Sequence, residues 1–148
     1  MKAAGEIYFI GEKDLRSKEV TPYFKVGIVR ENPENADRDS TQRLLEHQTG
    51  NPRELYIESV VKTELVELVE TLLHKKFAPL GVRGEWMLLT ASELADVQKE
   101  AQSLAKEAAE IIAQNEFHSL PVCENGTLVG IVTTTDLLKF LIYSIESL

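Results

Sequence analysis

The chain of 148 residues has a single cysteine, Cys123, and lacks any long apolar run. One cysteine cannot close an internal disulfide, so the fold does not require an oxidising compartment. No stretch approaches the roughly 18 apolar residues that a membrane-spanning helix needs. The apolar run near the N-terminus is broken by Glu12, Lys13 and Asp14 and is too short for a signal peptide. We therefore expect a cytoplasmic protein.

Positive charge is also scarce, because 16 Lys and Arg residues face 24 Asp and Glu residues, which leaves a net charge of −8. Residues 1–97 hold 13 basic and 17 acidic residues, and residues 98–148 hold 3 and 7, so each part carries −4. Proteins that bind nucleic acid usually present a basic surface. Any phosphate contact here must therefore come from a local basic patch.

The first ninety residues alternate strand-like and helical patterns. β-Branched and aromatic residues concentrate in segments 5–11, 23–30 and 54–62, and 85–90 is a further short candidate. Gly27 lies inside the second segment, which favours either a close backbone approach or a bulge. We predict an α/β fold with a small antiparallel sheet of three strands flanked by helices.

Two helices follow from capping signals and apolar spacing. Asp39 or Ser40 can cap a short helix that ends at Gln48, with Gly50 in a left-handed exit. Thr63 is the predicted cap of a second helix. The apolar residues of that second helix recur at helical spacing: Leu65, Leu68, Val69, Leu72 and Leu73.

The C-terminal third begins with a long helix, which ordinary start and stop signals place from Ser92 to about Asn115. No linker rich in Pro, Gly or Ser separates it from the preceding residues. We therefore predict two parts, residues 1–91 and 92–148, that share this helix.

A β-β-α unit is predicted after the long helix. Strands 118–123 and 127–133 flank Asn125-Gly126, which is a strong signal for a tight hairpin. A final helix over about 135–146 follows by its apolar spacing.

The N-terminal part carries four features in a fixed order. They are Ile7-Tyr8 on the first strand, Lys25-Val26-Gly27 on the second, the helical pair Arg43 and His47, and the helical pair Glu70 and His74. This arrangement, over about residues 5–90, resembles the GIY-YIG nuclease family. The lysine triplet and the segments RLLEHQTGNPREL and GEWM are similar to its phage-type branch, in which a KIG-like triplet is common.

The resemblance implies a phosphodiesterase site. An arginine fork at Arg43 would stabilise charge on the phosphate oxygens, and Glu70 would hold one Mg²⁺ or Mn²⁺ ion. Tyr8 would activate or orient the attacking water. Lys25 would assist by its charge or by lowering the pKa of the phenol, and His47 would position the phosphate or relay a proton.

Each of these residues also has a structural explanation. Tyr8 can be a packed strand aromatic, and Arg43 and His47 can be surface residues of a helix. Glu70 can belong to a solvated helix face.

The sequence departs from the family pattern at three places. Glu6 replaces the first glycine, Lys25 replaces the second tyrosine, and Glu85 stands near the position of a late asparagine. A degenerate, non-catalytic site is therefore the alternative.

The segment HSLPVCENGTLVGIVTTTDLLKFLI resembles the second half of a CBS repeat. Paired CBS repeats bind adenine nucleotides or related ligands, and the resemblance implies that Thr133 and Asp136 hold phosphate and ribose. Alternatively, Thr133 and its neighbours simply cap the final helix, with Asp136 in its first turn. One repeat cannot form the paired module, so we expect a homodimer.

Two classes of function follow. The first is a metal-dependent endonuclease acting on nucleic acid, with DNA as the expected substrate and a CBS-like regulatory or dimerisation segment. The second is a non-catalytic protein that binds an adenine nucleotide and carries a degenerate nuclease-like domain. A dimerisation domain without any ligand is a third reading of the C-terminal segment.

Overall fold

The computed structural model describes residues 3–35, 38–114, 119–133 and 136. The chain forms two compact units, Met1–Glu110 and Ile111–Leu148. The strands are β1 Gly5–Lys13, β2 Val20–Arg30, β3 Glu54–Thr63, β4 Gly81–Arg83, β5 Trp86–Leu88, β6 Ser119–Glu124 and β7 Thr127–Thr133. The helices are α1 Ser40–Gln48, α2 Val66–Lys76 and α3 Ala91–Gln114, and a short 3-10 turn covers Ala78–Leu80.

The first unit contains an antiparallel sheet in the order β3-β1-β2-β5-β4, which confirms the mixed α/β class. The three predicted strands are its β1, β2 and β3. The sheet has five strands rather than three, because the β4–β5 hairpin adds to the free edge of β2. β5 lies within the candidate segment 85–90, whereas β4, with three residues, is too short to show the alternation that reveals a strand in sequence.

The core lies on both faces of β1. Tyr8 and Ile10 belong to a buried cluster with Val29 and Leu55, against which Leu44 of α1 packs. Side chains alternate along a strand, so Ile7 and Phe9, which are fully buried, point to the other face. Helix α2 contacts β1 and β2. The buried residues of α2 and α3 are Val66, Val69, Leu72, Leu73, Val97, Ala101, Leu104, Ala105 and Ala108.

Two predicted features of the helix ends are wrong. Thr63 does not cap α2; it pairs with Gly5 in the sheet, and its Oγ1 accepts the Leu65 N–H at 3.3 Å, so α2 begins only at Val66. Helix α1 is capped by Asp39 and ends at Gln48, as predicted, but Gly50 does not adopt a positive φ, and the C-cap Thr49 has a right-handed helical conformation.

The exit of α1 is fixed by the Gln48 side chain rather than by a glycine. Gln48 Nε2 donates to the carbonyls of Asn51 and Arg53, at 3.2 and 2.8 Å. Its Oε1 accepts the Leu55 N–H at 2.8 Å. This side chain therefore directs the chain from α1 into β3.

Helix α3 begins at Ala91, one residue before the predicted start. Thr90 Oγ1 accepts the Glu93 N–H at 3.2 Å, and the Glu93 carboxylate accepts the Thr90 N–H at 2.8 Å, which is a capping box. α3 is described to Gln114, and the predicted end at Asn115 lies outside the described residues. In the described part of the chain, no helix is long and apolar enough to cross a membrane.

The predicted hairpin of the second unit is confirmed. β6 and β7 pair antiparallel around Asn125 and Gly126, whose φ angles are 51° and 80°. These positive angles are what a two-residue hairpin turn requires, and Asn-Gly adopts them readily. The predicted final helix over 135–146 lies outside the described residues except for Asp136, which is helical.

Gly27 marks a close approach rather than a bulge. It pairs in register with Tyr8. A Cβ at this position would lie 2.3 Å from Tyr8 Oη and 2.5 Å from Cζ. The tyrosine ring therefore lies on the bare backbone of β2, and any side chain at residue 27 would displace it.

We expect Gly27→Ala to lower the free energy of unfolding by about 1–3 kcal/mol, because the buried Tyr8 ring must move to admit a methyl group. Gly50→Ala is the matched control, since a Cβ at Gly50 meets no atom within 4 Å. Urea denaturation of both variants measures the difference. Equal midpoints would show that the ring does not depend on this glycine.

Candidate active site

The Tyr8 hydroxyl lies against the helix that follows the first hairpin. Tyr8 Oη and His47 Nε2 are 3.1 Å apart, and their rings are tilted with centroids 6.0 Å apart. Tyr8 is 1% exposed, so its hydroxyl needs a partner inside the protein. His47 in the last turn of α1 supplies that partner.

Arg43 lies one helical turn before His47 on the same face of α1. Its Nη1 donates to Glu46 Oε2 at 2.5 Å, and Arg43 also lies within electrostatic range of the Tyr8 hydroxyl. A guanidinium beside a phenol and an imidazole forms a small polar cluster above β1. The cluster faces solvent on its Arg43 side, because that side chain is 30% exposed.

Lys25 lies on the same face of β2 as Gly27 and is held by a carboxylate from the β4–β5 hairpin. Its Nζ donates to Glu85 Oε2 at 2.5 Å, and only 14% of the Lys25 side chain is exposed. Glu85 also accepts the Val26 N–H through its backbone carbonyl, at 2.9 Å. A second element thus fixes the position of the lysine.

A cleft of about 280 Å³ opens beside these residues. It is lined by Lys25, Glu46, His47, Gly50, Asn51, Leu55 and Trp86.

Glu70 lies on α2. It is half-buried and interacts electrostatically with Tyr8, Lys25 and Glu85. His74 lies one turn further on α2, and its Nε2–H donates to the Val26 carbonyl at 2.9 Å. That bond fixes α2 to β2 next to the site, so His74 has a structural role.

Glu6 replaces the glycine of the family pattern and has a structural role of its own. Its Oε2 accepts the backbone N–H of Ser40 at 3.0 Å and the Ser40 hydroxyl at 2.6 Å. Ser40 is the first residue of α1 and is 2% exposed. A carboxylate here favours the helix N-terminus. Glu6 therefore fixes the start of the helix that carries Arg43 and His47.

A model of the T5orf172 domain, a phage-type nuclease-like domain, matches residues 5–102. The chain belongs to the T5orf172 family. A CBS domain model matches residues 100–143, so a CBS domain is also present. No curated protein and no solved structure matches the chain. The phage-type nuclease-like character is thereby confirmed, and the narrower assignment to the GIY-YIG family stays a prediction.

The structure brings all five predicted site residues of the T5orf172 domain together. Tyr8 contacts His47, and the charges of Lys25, Arg43 and Glu70, which come from β2, α1 and α2, act on one or both of these two residues or on each other. Glu85 joins this cluster, although sequence reasoning noted it only as a departure from the family. The sequence feature that could have indicated Glu85 is the GEWM segment, which contains it.

The environment sets the protonation states in the site. Burial, and next the charge of Glu85, raise the pKa of Tyr8, while Arg43 opposes them. Burial and then the charges of Lys25 and Arg43 lower the pKa of His47 below its ordinary value of 6.5. At neutral pH the phenol is therefore protonated and the imidazole is neutral. In the tautomer of His47 that carries its proton on Nδ1, the phenol donates its proton to His47 Nε2.

The charges of Glu70 and Glu85 disfavour each other. Burial, and next the charge of Glu85, raise the pKa of Glu70. Two carboxylates that disfavour each other's charge are stabilised by a cation between them. Among the described residues, no group of three His, Cys, Asp or Glu side chains could hold a metal ion. Mg²⁺ needs fewer, because it keeps several waters and binds through one or two carboxylates.

In the CBS segment, Thr133 and Asp136 bond to each other. The Thr133 N–H and hydroxyl both donate to Asp136 Oδ2 at 2.8 Å, and the Asp136 N–H donates to Thr133 Oγ1 at 3.2 Å. This reciprocal pattern is a capping box. The capping explanation therefore accounts for both side chains, and their role in binding an adenine nucleotide stays a prediction.

We expect Glu6→Ala to lower the free energy of unfolding by about 1–3 kcal/mol, because it leaves the buried N–H and hydroxyl of Ser40 without an acceptor. Glu58→Ala, which removes one charge at an exposed residue of β3, is the control. Urea denaturation gives the comparison. If both variants unfold at the same urea concentration, Glu6 does not hold α1.

Proposed function

We propose that the T5orf172 domain of this chain hydrolyses phosphodiester bonds in nucleic acid with the help of Mg²⁺ or Mn²⁺. The observation that carries the proposal is the convergence of Tyr8, Arg43 and Glu70 with His47 and Lys25 on one cluster. These residues are distant in sequence, and packing alone does not require a base, an arginine and a carboxylate at one place. Their types match the needs of phosphate hydrolysis.

Arg43 is the group that contacts the phosphate in this proposal. Its guanidinium is partly exposed, and it stands next to the Tyr8 hydroxyl. A planar fork with several donors stabilises charge that develops on the phosphate oxygens. Lys25 adds positive charge from the β2 side, held in place by Glu85.

Tyr8 and His47 provide a path for the proton of the attacking water. The phenol orients the water through its oxygen, while its own proton points to the neutral imidazole. As the water loses a proton to the Tyr8 oxygen, the phenol proton passes to His47 Nε2. The buried phenol therefore need not ionise beforehand, which its raised pKa disfavours.

Glu70 would hold the cation, with Glu85 as a second carboxylate. When bound, the cation would polarise the phosphate and stabilise the leaving oxygen. Glu70 must be ionised for this, and the cation would favour its ionised form against the burial that raises its pKa.

The CBS domain makes a homodimer the natural assembly. A single repeat has no partner repeat within residues 100–143. Pairing two copies of the chain would complete the module, and we propose this arrangement, with an adenine nucleotide as its candidate ligand, as part of the function.

We expect Arg43→Ala to reduce cleavage by about 100- to 1,000-fold, as for loss of one preorganised donor to a developing oxyanion. Glu70→Ala should abolish metal-dependent cleavage. The assay incubates protein with plasmid and single-stranded DNA in Mg²⁺ or Mn²⁺, and Arg83→Ala serves as the control for charge. Cleavage that persists in both site variants would refute the proposed site.

The pH profile distinguishes the proton path from a phenolate base. We expect kcat/KM to rise with pH while His47 loses its proton, which happens below pH 6.5 because its pKa is lowered from that value, and then to stay level. Deprotonation of Glu70, whose pKa is raised above its ordinary 4.5, adds to the rise. Ionisation of the Tyr8 phenol causes no further rise in kcat/KM below pH 10, because the pKa of Tyr8 is raised above its ordinary value of 10. Initial rates across this range test the profile. A tenfold rise per pH unit between neutrality and pH ~9 would instead indicate a free phenolate as the base.

A further inference from the structure

Next to the site lies a second cleft, of about 270 Å³, which we term the arginine cleft. It is lined by Ile28, Val29, Arg30, Asn32, Arg38 and Arg43. Three of the six arginines in the chain thus line one cleft. In a chain with a net charge of −8, this is the local basic patch that contact with phosphate requires.

Carboxylate side chains form ion pairs with these three arginines. A single oxygen, Glu46 Oε2, accepts from Arg43 Nη1 at 2.5 Å and lies 3.5 Å from Arg38 Nη2. Arg30 forms a separate ion pair with Glu67 of α2. An anionic oxygen between two guanidinium groups has the contacts of a phosphate oxygen held by two arginines.

We propose that the arginine cleft binds a backbone phosphate next to the scissile one, and that Glu46 takes the place of that phosphate in the free protein. The inference rests on the proposed function, since it places the neighbouring phosphate of the same substrate. Arg43 belongs to both the active site and the cleft, so a strand that contacts both sets of residues would run along α1. Arg38 and Arg30 act as positioning residues for that strand.

Glu46 can be displaced at low cost because it is partly exposed. Its side chain is 38% exposed and that of Arg38 is 45% exposed. Ion pairs between such groups stabilise a protein only slightly. A phosphodiester in the cleft therefore competes for Arg43 and Arg38 against one solvated carboxylate. Glu46 therefore excludes from Arg43 and Arg38 any ligand that cannot compete with its carboxylate.

Two charge-matched variants test the role of Glu46. Glu46→Gln and Glu58→Gln each remove one negative charge, but Glu46 pairs with Arg38 and Arg43 of the cleft, whereas Glu58 is an exposed residue of β3. Binding is measured by fluorescence anisotropy with a labelled short DNA duplex in EDTA, so that no cleavage occurs. We expect Glu46→Gln to bind several-fold more tightly than Glu58→Gln. Equal affinities of the two variants would overturn the role of Glu46.

A second pair tests the cleft itself. Arg38→Ala and Arg83→Ala each remove one positive charge, and Arg83 on β4 is outside the cleft. We expect Arg38→Ala to weaken binding several-fold and to reduce the salt slope by about one, as for loss of one phosphate contact, over roughly 50 to 200 mM salt. A salt slope equal to that of Arg83→Ala would exclude a phosphate contact at Arg38.

The outcomes separate this inference from the proposed function. If the unmodified protein cleaves DNA but neither variant pair differs, the arginine cleft does not bind phosphate and the proposed function stands. If the variants differ as expected but Mg²⁺ or Mn²⁺ supports no cleavage, the cleft binds nucleic acid and the catalytic proposal is wrong. If the unmodified protein does not bind the duplex, the inference about the arginine cleft is overturned, and the cleavage assay decides the proposed function separately. Circular dichroism of each variant confirms that it is folded.

Discussion

The contact between the Tyr8 ring and the bare backbone of Gly27 is the constraint on which the candidate site depends. The two residues are direct partners in the β1–β2 ladder, and the ring occupies the space that a side chain at residue 27 would fill. This position directs the hydroxyl toward His47 of α1. Lys25 follows from the same register, because it lies two residues earlier on the same face of β2. One cross-strand pair thus relates the phenol, the imidazole and the lysine.

The acidic composition of the chain has a structural counterpart around this contact. Glu6 fixes the start of α1, Glu85 pairs with Lys25, and Glu46 pairs with Arg43. Glu6 and Glu85 satisfy donors that would otherwise lie unpaired in a largely buried place, whereas Glu46 pairs with a partly exposed guanidinium. A net charge of −8 and a basic site are therefore compatible, since the surplus acids determine where the basic groups point.

The sequence was informative wherever short-range physics decides the structure. Alternation in β1 to β3 and the Asn-Gly turn predicted strands and a hairpin, because both signals act over a few residues. The error at Thr63 arises because a residue distant in sequence, Gly5, pairs with it in the sheet. The error at Gly50 arises because the nearby Gln48 side chain bonds to the backbone that follows the helix. The five site residues could be named only through the resemblance to a family. Glu85 was missed as a partner because its role depends on a tertiary contact with Lys25. Glu46 was missed because its ion pair with Arg43 has the spacing of an ordinary pair on a helix surface.

The sequence separations within the site bear on how the protein folds. Tyr8 and His47 are 39 residues apart, and Lys25 and Glu85 are 60 apart. Closing loops of this length costs conformational entropy before the contacts form. The hairpin of β1 and β2 involves shorter separations and needs no residue beyond Arg30. During synthesis, Tyr8 can therefore meet Gly27 long before Lys25 acquires its counter-charge, so the site is complete only after the β4–β5 hairpin has been made.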